Sequence, residues 1–400
     1  MDRPKQKQYR KVVALIPYGQ HEVVQEDIDA VVQVLQSDYL TQGPVVPQFE
    51  QAVAKYCFAK RGVATNSATS ALHLACLALG LKKGDVLWTS PISFVASANC
   101  GLYCGASVDF VDIDKNTFNM CPIALEQKLQ AAEKCGTLPK IVIPVHLCGE
   151  SCDMKPIHAL GKKYGFKIIE DASHAIGGRY KNNPVGCCEY SDITVFSFHP
   201  VKIMTTGEGG MAMANDEHLA DTMELLRSHG ITRDESLMTH ESDGGWYYQQ
   251  VGLGFNYRMT DIQGALGLSQ LSRVDANVLR RHEIAGRYDE VFINTSITPQ
   301  QQLQGTYSTY HLYIINFEAG ITAQEHKQIY VSMRESGVGV NLHYIPIHTQ
   351  PYFKVLGFNE GDFPIAEQYY NRALTLPLYP NLTPTNQASC IESLLQVSNL

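Results

Sequence analysis

Residues 191–210 of the chain read SDITVFSFHPVKIMTTGEGG. The apolar run at 193–198 predicts a buried strand, and the turn after it carries one lysine, Lys202, five residues beyond Ser197. A glycine-rich segment, TTGEGG at 205–210, follows at once. A lysine that is partly withdrawn from water loses its proton readily and becomes a nucleophile. The stretch therefore predicts a strand of an α/β fold that leads into a Schiff-base lysine beside a phosphate site.

A second predicted strand ends in two acidic residues. Residues 166–171 read FKIIED, and Asp171 lies thirty-one residues before Lys202. A carboxylate at this point can pair with the pyridine nitrogen of pyridoxal phosphate and keep it protonated, which makes the ring an electron sink. Taken alone, Asp171 is equally well explained as a helix N-cap after a strand. Its combination with Lys202 favours the cofactor role.

A third feature lies upstream, where residues 63–72 read VATNSATSAL. Small and hydroxyl-bearing residues there open an apolar-periodic stretch at 72–79, which predicts a helix. The N-terminus of a helix gathers unpaired amide donors and the positive end of the helix dipole, and it suits a phosphate. An ordinary Ser/Thr capping turn has the same composition, so this stretch alone does not predict a phosphate site. It supports one only in combination with Lys202 and Asp171.

Helical and strand patterns alternate along the first 260 residues. This alternation implies a mainly parallel sheet that gathers ligands at the carboxyl ends of its strands. After Thr260 the pattern predicts one long helix to about residue 294, which leads to a smaller C-terminal domain. The predicted elements are strands at 85–89, 107–111, 140–145, 166–170, 311–317 and 337–343, and helices at 26–36, 49–58, 154–164, 261–294 and 322–336.

Composition indicates a globular protein. The 400 residues are 44% hydrophobic and 18% charged, and 32 basic against 40 acidic residues give a net charge of −8. This balance argues against nucleic-acid binding. The eleven cysteines are scattered without zinc-ligand spacing, so we expect free thiols and no metal site. No apolar run is long enough for a signal-peptide core or a membrane span, and we expect a cytoplasmic protein.

Several phrases distributed over nearly the whole chain give it a family resemblance. It resembles the DegT/DnrJ/EryC1/StrS sugar aminotransferases, most of all the branch that acts in pseudaminic acid biosynthesis. The phrases are IPYG at 16–19, LTQG at 40–43, NSATSAL at 66–72, SPISFVASAN at 90–99, DASHA at 171–175, SFHPVK at 197–202, RSHGI at 227–231, GFNYRMTDIQGALG at 254–267 and HYIPIH at 343–348.

The resemblance implies an α/β fold of the aspartate-aminotransferase type, fold type I of the pyridoxal phosphate enzymes. Such a fold has a large domain with a mainly parallel seven-stranded sheet and a smaller α+β C-terminal domain. We expect the large, cofactor-binding domain at residues 1–270 and the small domain at 271–400. The N-terminal segment, residues 1–25, is expected to be able to pack on the small domain.

The resemblance also implies roles for individual residues in binding pyridoxal 5′-phosphate. Lys202 would hold the cofactor and move a proton, Asp171 would pair with the pyridine nitrogen, and His174 would lie near the phenolic oxygen. His174 could instead be a packed residue behind the site. His199, next to Pro200, is expected to be structural. Further expected cofactor contacts are Ala68, Thr69, Phe94, Ser197 and Asn256, with burial in the core as the alternative for Phe94.

Asn256 resembles the family's asparagine that reaches the cofactor phosphate of the neighbouring subunit, which implies a homodimer with shared active sites. A glycine-flanked turn is the alternative explanation for this residue. For most of the expected sugar contacts, the alternative is that the residue is an ordinary loop residue with no role in binding. These contacts are Tyr18, Asp38, Tyr39, Leu40, Thr41, Ala68, Ser197, Asn256, His343, Tyr344, Ile345 and Pro346.

The implied reaction moves an amino group from L-glutamate, which leaves as 2-oxoglutarate, to C4 of a UDP-linked 4-keto-6-deoxy-N-acetylhexosamine. Another 3- or 4-keto nucleotide sugar is an open alternative. Three further hypotheses are a dehydratase branch with histidine at the lysine position, a noncatalytic binding or regulatory relative, and a cofactor-free Schiff-base aldolase. Lys202 argues against the dehydratase, and Lys202 together with Asp171 argues against the noncatalytic relative. The aldolase is disfavoured because it would leave the phosphate motif and Asp171 without a purpose.

Overall fold

The computed structural model of the chain describes residues 15–398. Three strands inside its large sheet, at 141–143, 193–197 and 210–214, are mostly apolar and wholly buried, as expected for a sheet that is covered on both faces. The strands are β1 (Arg61–Thr65), β2 (Val86–Thr89), β3 (Ser107–Phe110), β4 (Ile141–Ile143), β5 (Lys167–Asp171), β6 (Arg179–Tyr180), β7 (Asn183–Pro184), β8 (Ile193–Ser197), β9 (Gly210–Ala214), β10 (Ile231–Thr232), β11 (Gln249–Gln250), β12 (Thr298–Pro299), β13 (Thr306–Tyr307), β14 (Tyr313–Asn316) and β15 (Ala373–Leu376).

The helices alternate with the strands of the first 270 residues. None of those within residues 15–398 is long and apolar enough to cross a membrane. The helices are α1 (Gln25–Leu35), α2 (Val45–Cys57), α3 (Ala68–Ala78), α4 (Ala96–Tyr103), α5 (Pro122–Cys135), α6 (Met154–Tyr164), α7 (Glu217–Arg227), α8 (Asp261–Leu271), α9 (Val274–Phe292), α10 (Ala323–Glu335), α11 (Pro351–Val355), α12 (Pro364–Tyr370) and α13 (Pro384–Val397).

Seven strands form the central sheet in the order β1-β9-β8-β5-β4-β2-β3. β9 is antiparallel to both of its neighbours, and the other neighbouring pairs are parallel. The predicted seven-stranded, mainly parallel sheet is therefore confirmed. Because β5 and β8 are adjacent and parallel, their carboxyl ends at Asp171 and Ser197 lie at the same edge of the sheet.

Residues beyond about 295 build a second, smaller sheet, in which β14 pairs with β12 and β15 in antiparallel fashion. Its core is closed by α9, α10 and α13, with Tyr288, Met333 and Leu394 buried against the sheet. The N-terminal segment meets this part of the chain, since Ile16 pairs with Val338 and Tyr18 accepts a hydrogen bond from the Leu378 amide (3.0 Å). Residues 1–14 of that segment lie outside the described residues, and the domain boundary near residue 270 stays a prediction.

The long helix predicted at 261–294 is wrong in one respect, because it is broken into α8 and α9. The Ser272 hydroxyl donates to the Ser269 carbonyl (2.7 Å) and tightens the last turn of α8. The Arg273 guanidinium then reaches the buried carboxylate of Asp27 (2.7 Å), at the start of α1. The salt bridge to α1 thus redirects the chain at a point where local helix propensity favoured one continuous helix.

Two further expectations need correction. The stretch at 337–343 is not a regular strand; it makes isolated bridges from Val338 to Ile16 and from Asn341 to Thr375. The helix predicted at 72–79 begins earlier, at Ala68. Ser67 caps the helix by accepting a hydrogen bond from the Ser70 amide (3.1 Å). This cap stabilises a helical conformation at residues 68–71, which had not been predicted to be helical.

Candidate active site

A cavity of about 500 Å³ opens at the carboxyl ends of β5 and β8. Asp171 and Ser197, the last residues of these strands, both line it. The cavity gathers side chains from the large sheet, from the start of α3, from the N-terminal segment and from the segment before α11. The predicted site residues that line it are Tyr18, Ala68, Thr69, Phe94, Asp171, His174, Ser197, Lys202, His343 and Tyr344.

Lys202 lies in the turn after β8, where its amide donates a hydrogen bond to the His199 carbonyl (2.9 Å). Burial of the ammonium group lowers the pKa of Lys202 to about 8, although the negative charge of Asp171 acts in the opposite direction. With such a pKa, about a tenth of the lysine is the neutral, nucleophilic amine at pH 7. The turn therefore places a lysine with a lowered pKa at the cavity, as the predicted nucleophilic role requires.

The Asp171 carboxylate is held by neutral donors. Ser97 donates its hydroxyl to Oδ2 (2.6 Å), while Ser173 donates both its hydroxyl (2.6 Å) and its amide (3.2 Å) to Oδ1. The residue is only 5% exposed, and a charged carboxylate in such a position needs these hydrogen bonds. The three donors fix its orientation without neutralising its charge, so it can still pair with a cation in the cavity.

The start of α3 forms one end of the cavity. Ser67 Oγ caps the Ser70 amide (3.1 Å), while the amides of Ala68 and Thr69, in the first turn, have no intrahelical acceptor. Gly210 of β9 passes directly behind them, since a Cβ at this position would lie 2.4 Å from the Ala68 nitrogen. The sheet thus holds two free amides of a helix N-terminus against the cavity, which is an arrangement that binds phosphate.

His174 is neutral and has a defined tautomer. Burial, reinforced by the charge of Lys202, keeps its pKa well below the usual range. Its Nδ1 accepts a hydrogen bond from the Cys148 amide (3.3 Å), so the ring proton must be on Nε2. Nε2 faces the hydroxyl of Tyr344 (3.2 Å). His174 therefore presents an N–H donor to the cavity, and His311 supports its ring from the other side with centroids 4.3 Å apart.

Phe94 is 61% exposed, which excludes the core position that was its alternative. Its ring lies 6.4 Å from that of Tyr344, and both line the cavity. Tyr344 is followed by Ile345, which is exposed, and by Pro346, which is buried, and neither lines the cavity. The two aromatic rings are thus placed where a planar ligand can lie between or beside them.

Two predicted groups of site residues lie outside this cavity but next to each other. Asp38, Tyr39, Leu40 and Thr41 are exposed, as is Asn256. The Leu40 carbonyl accepts a hydrogen bond from the Asp261 amide (3.0 Å), and Thr41 forms a bridge with Thr260. The backbone therefore places segment 38–41 beside the segment that follows Asn256, on the surface of the chain.

Sequence reasoning missed several residues of the site. His199, which was expected to be structural, lines the cavity together with Glu208, and their side chains are 4.0 Å apart. His311 also lines it, although it comes from the small-domain part of the chain. Nothing local in the sequence marks His311 as a site residue. Ser97 lies within the SPISFVASAN motif at 90–99, but its hydrogen bond to Asp171 depends on the packing of α4 against the sheet and could not be predicted from the motif.

The residues present fit pyridoxal phosphate. The cavity offers one activated lysine, an oriented buried carboxylate for a protonated pyridine nitrogen, a neutral N–H donor at His174 for a phenolic oxygen, and two free helix amides for a phosphate. No group of three or more His, Cys, Asp or Glu side chains within residues 15–398 is arranged to hold a metal ion. The arrangement suits nucleophilic and proton-transfer chemistry at an amine or carbonyl carbon.

Comparison with curated proteins gives matches over almost the whole chain. The spore coat polysaccharide biosynthesis protein SpsC of Bacillus subtilis is 40% identical over 96% of this chain and 97% of its own length. The UDP-4-amino-4,6-dideoxy-N-acetyl-beta-L-altrosamine transaminase of Campylobacter jejuni is 37% identical over 92% of this chain and 93% of its own. The GDP-perosamine synthase of Caulobacter vibrioides is 34% identical over 92% of this chain and 94% of its own.

Solved structures agree with this relationship. PseC of Helicobacter pylori, an aminotransferase involved in the biosynthesis of pseudoaminic acid, superposes with a TM-score of 0.88 and 32% identity, covering 96% of this chain and 99% of PseC. The PLP-form of the putative sugar aminotransferase Spr1654 of Streptococcus pneumoniae has the same TM-score at 31% identity, with the same coverage. The DegT/DnrJ/EryC1/StrS aminotransferase family model matches residues 21–395. The chain belongs to this family, and it is a nucleotide-sugar aminotransferase that depends on pyridoxal phosphate.

Proposed function

We propose that this enzyme transfers the amino group of L-glutamate to C4 of a UDP-linked 4-keto-6-deoxy-N-acetylhexosamine, as in the pseudaminic acid pathway. The observation that carries the aminotransferase part is the single cavity in which Lys202, Asp171 and the amides of Ala68 and Thr69 converge. The choice of sugar is supported by similarity to the Campylobacter transaminase and to PseC.

Lys202 is the proton carrier of the proposed mechanism. Its pKa of about 8 leaves a usable fraction of neutral amine at neutral pH, and among the described residues that line the cavity it is the one lysine. The amine takes a proton from the α-carbon of the amino donor and, in the second half of the reaction, delivers one to C4 of the sugar. Because one lysine serves both halves, we expect ping-pong kinetics.

The other cavity residues orient the reaction. The bound cofactor supplies an electron sink for the carbanion that forms at the substrate carbon. Asp171, fixed by Ser97 and Ser173, keeps its charge toward the pyridine nitrogen, and His174 donates from Nε2 to the phenolic oxygen. The amides of Ala68 and Thr69, with the hydroxyl of Ser197, hold the phosphate. Phe94 and Tyr344 cover the ring and restrict water.

The second candidate function is transamination of a different keto nucleotide sugar. SpsC shows a higher identity, 40%, than the Campylobacter transaminase, 37%, and GDP-perosamine synthase follows at 34%. Because the sequence identities to these differently named proteins are so similar, they support sugar transamination more strongly than they support any particular sugar substrate. A noncatalytic role is disfavoured because both Lys202 and Asp171 are present and face the same cavity.

An absorbance titration separates these possibilities. The holoenzyme should absorb at about 410–430 nm, the region we expect for the lysine-bound cofactor. L-Glutamate should bleach this band, and the UDP-linked 4-keto-6-deoxy-N-acetylhexosamine should restore it. Bleaching by glutamate with recovery only on a GDP-linked keto sugar would support the second candidate. A band that does not respond to glutamate would contradict the proposed donor.

We also propose that the active unit is a homodimer in which Asn256 reaches the cofactor phosphate of the neighbouring subunit. The exposure of Asn256, outside its own subunit's cavity, supports this arrangement. Apolar side chains in the preceding segment are exposed as well, with Trp246 75% and Leu253 82% accessible. Segment 38–41 lies beside this surface, and the same arrangement would bring it to the sugar of the neighbouring site.

Mixed dimers test the sharing of residues. Lys202→Ala and Asn256→Asp subunits are each expected to be almost inactive as homodimers. After subunit exchange at equal amounts, half of the dimers are mixed, and each has one site with both wild-type residues. Activity should therefore recover to about a quarter of the wild-type value. If Asn256 serves its own subunit, no site regains both residues, and the mixture stays inactive.

A further inference from the structure

One arginine of the long helix α9 is buried without a carboxylate partner. Arg281 is only 2% exposed, and within residues 15–398 it forms no salt bridge. Burial lowers its pKa to about 9, which still leaves the guanidinium charged at neutral pH. A buried charge that lacks a counter-charge is costly. The proposed transamination does not use this residue, so its hydrogen bonds have to explain its position.

The guanidinium holds the backbone directly before and at His311. Nη1 of Arg281 donates to the carbonyls of Tyr310 (3.1 Å), His311 (3.2 Å) and Leu378 (3.0 Å). Tyr310 has a φ of 46°, a left-handed conformation that is uncommon for residues other than glycine. Such a conformation persists only where the surrounding structure fixes it. The hydrogen bond from Arg281 to the Tyr310 carbonyl supplies part of that constraint.

His311 contacts the surroundings of His174 in two ways. The centroids of the two rings are 4.3 Å apart, and burial keeps the pKa of both well below the usual range, so two neutral rings pack together. The His311 amide also donates to the Cys148 carbonyl (2.7 Å), and the Cys148 amide donates to His174 Nδ1 (3.3 Å). The position of His311 therefore affects both the packing of the His174 ring and the hydrogen bond that determines its tautomer.

The same segment holds the backbone of His174. The Thr309 hydroxyl donates to the His174 carbonyl (2.6 Å), and the Thr309 amide donates to the Gly149 carbonyl (3.2 Å). A Cβ at Gly149 would collide with the Thr309 hydroxyl and with the His174 carbonyl, so this close approach requires glycine. Segment 309–311 thus contacts His174 at its main chain and at its ring.

We propose that Arg281 is a positioning residue of the active site, which fixes residues 310 and 311 so that His311 keeps the His174 ring in place. This role rests on the proposed function, in which His174 donates from Nε2 to the phenolic oxygen of the cofactor. A guanidinium suits the task because its planar array of N–H groups can hold carbonyls of two chain segments at once. Lysine carries a compact ammonium group on a flexible stem and does not reproduce this arrangement.

The pH dependence of the cofactor band tests this role without an activity assay. A donor at the phenolic oxygen weakens the hold of that oxygen on the proton of the lysine–cofactor link, and it thereby lowers the pH midpoint of the band at about 410–430 nm. We expect His174→Leu, which removes the donor, to raise the midpoint by about one pH unit. Arg281→Lys should raise it by about half a unit, because the donor is displaced but still present.

The two variants distinguish failure of the proposed function from failure of the positioning role. An unshifted midpoint in His174→Leu would overturn the donor role of His174, and the role of Arg281 with it. A shift in His174→Leu together with a wild-type midpoint in Arg281→Lys would overturn the role of Arg281 alone.

The double variant separates positioning from a general effect on the protein. In the His174→Leu background no donor is left to displace, so Arg281→Lys should add nothing to the shift, whereas an additive shift would contradict the proposal. Arg280→Lys is the matched control. The Arg280 side chain also donates to backbone carbonyls, but to those of the segment at 380–382 rather than of residues 310 and 311. Its midpoint should equal that of the wild type.

Urea unfolding of the cofactor-free proteins verifies that the variants are folded. If Arg281→Lys does not fold, His311→Ala takes its place, because it removes the ring that packs on His174 and keeps the carbonyls that Arg281 holds. This variant should also raise the midpoint and should add nothing to the shift of His174→Leu. A wild-type midpoint in folded His311→Ala would overturn the proposal.

Discussion

Gly210→Ala tests the proposed phosphate-binding end of the site. Gly210 is the first residue of β9 and pairs with Thr65 on one side and Ser197 on the other. A Cβ at this position would lie 2.4 Å from the Ala68 nitrogen, 2.5 Å from the Ser67 carbonyl carbon and 2.6 Å from the Ala68 Cα. These are backbone atoms at the start of α3, so no side-chain rotation can relieve the contact.

The methyl group needs about 1 Å more room than the structure gives it, and the start of α3 has to move away from β9. Overpacking of this kind costs about 1–3 kcal/mol of unfolding free energy. The displacement also moves the amides of Ala68 and Thr69. Losing one charge-assisted hydrogen bond to the phosphate costs about 1.5–3 kcal/mol, which corresponds to about a 10- to 150-fold weaker cofactor affinity.

Cofactor titration by absorbance and urea unfolding of the cofactor-free protein measure the two effects. Gly286→Ala is the matched control, because this glycine lies within α9 and a Cβ there meets nothing within 4 Å. The control should be stabilised by about 0.5–1 kcal/mol through helix propensity and should bind the cofactor normally. Wild-type affinity and stability in Gly210→Ala would refute the proposed packing of α3 against β9.

Two further predictions concern the lysine and the histidine. The folded pKa of Lys202, about 8, lies below that of an unfolded lysine, so between these two pKa values the unfolded state binds more protons and the free energy of unfolding rises with pH. Between about pH 7.5 and 10, the cofactor-free wild type should gain about 2 kcal/mol of unfolding free energy relative to Lys202→Met. If urea unfolding gives the two proteins the same pH dependence of stability, Lys202 is not buried as the structure shows. His174→Gln retains an N–H donor and should lose less than about tenfold in kcat/KM, whereas His174→Leu should lose about 100-fold. Equal losses in steady-state kinetics would mean that packing, not the Nε2 donor, is what matters.

The parts of the site that follow directly on a strand could be predicted from the sequence. Lys202 and Asp171 come just after or at the end of an apolar run, and parallel strands carry such residues to one edge of a sheet. Ala68 and Thr69 were predicted for the same kind of reason, because capping chemistry is local. In each case the residue types within a few positions determine where the side chain or amide points.

Other features depend on contacts between distant parts of the chain. The break between α8 and α9 is fixed by Arg273 and Asp27, which nothing local connects. His311 reaches the cavity only because the chain beyond α9 returns to the large sheet. Asn256 lies outside the cavity, and the role predicted for it depends on the proposed dimer. Long-range packing and assembly therefore limit what the sequence could predict.

Borohydride reduction of the holoenzyme tests the central claim most directly. The reagent makes the link between the cofactor and its lysine permanent, and peptide mass mapping then identifies the residue. The structure predicts that the label lies on Lys202, which faces Asp171 and the start of α3, and that Lys202→Ala takes up none. A label on a different lysine, or an unlabelled wild type that still binds pyridoxal phosphate, would contradict this account of the site.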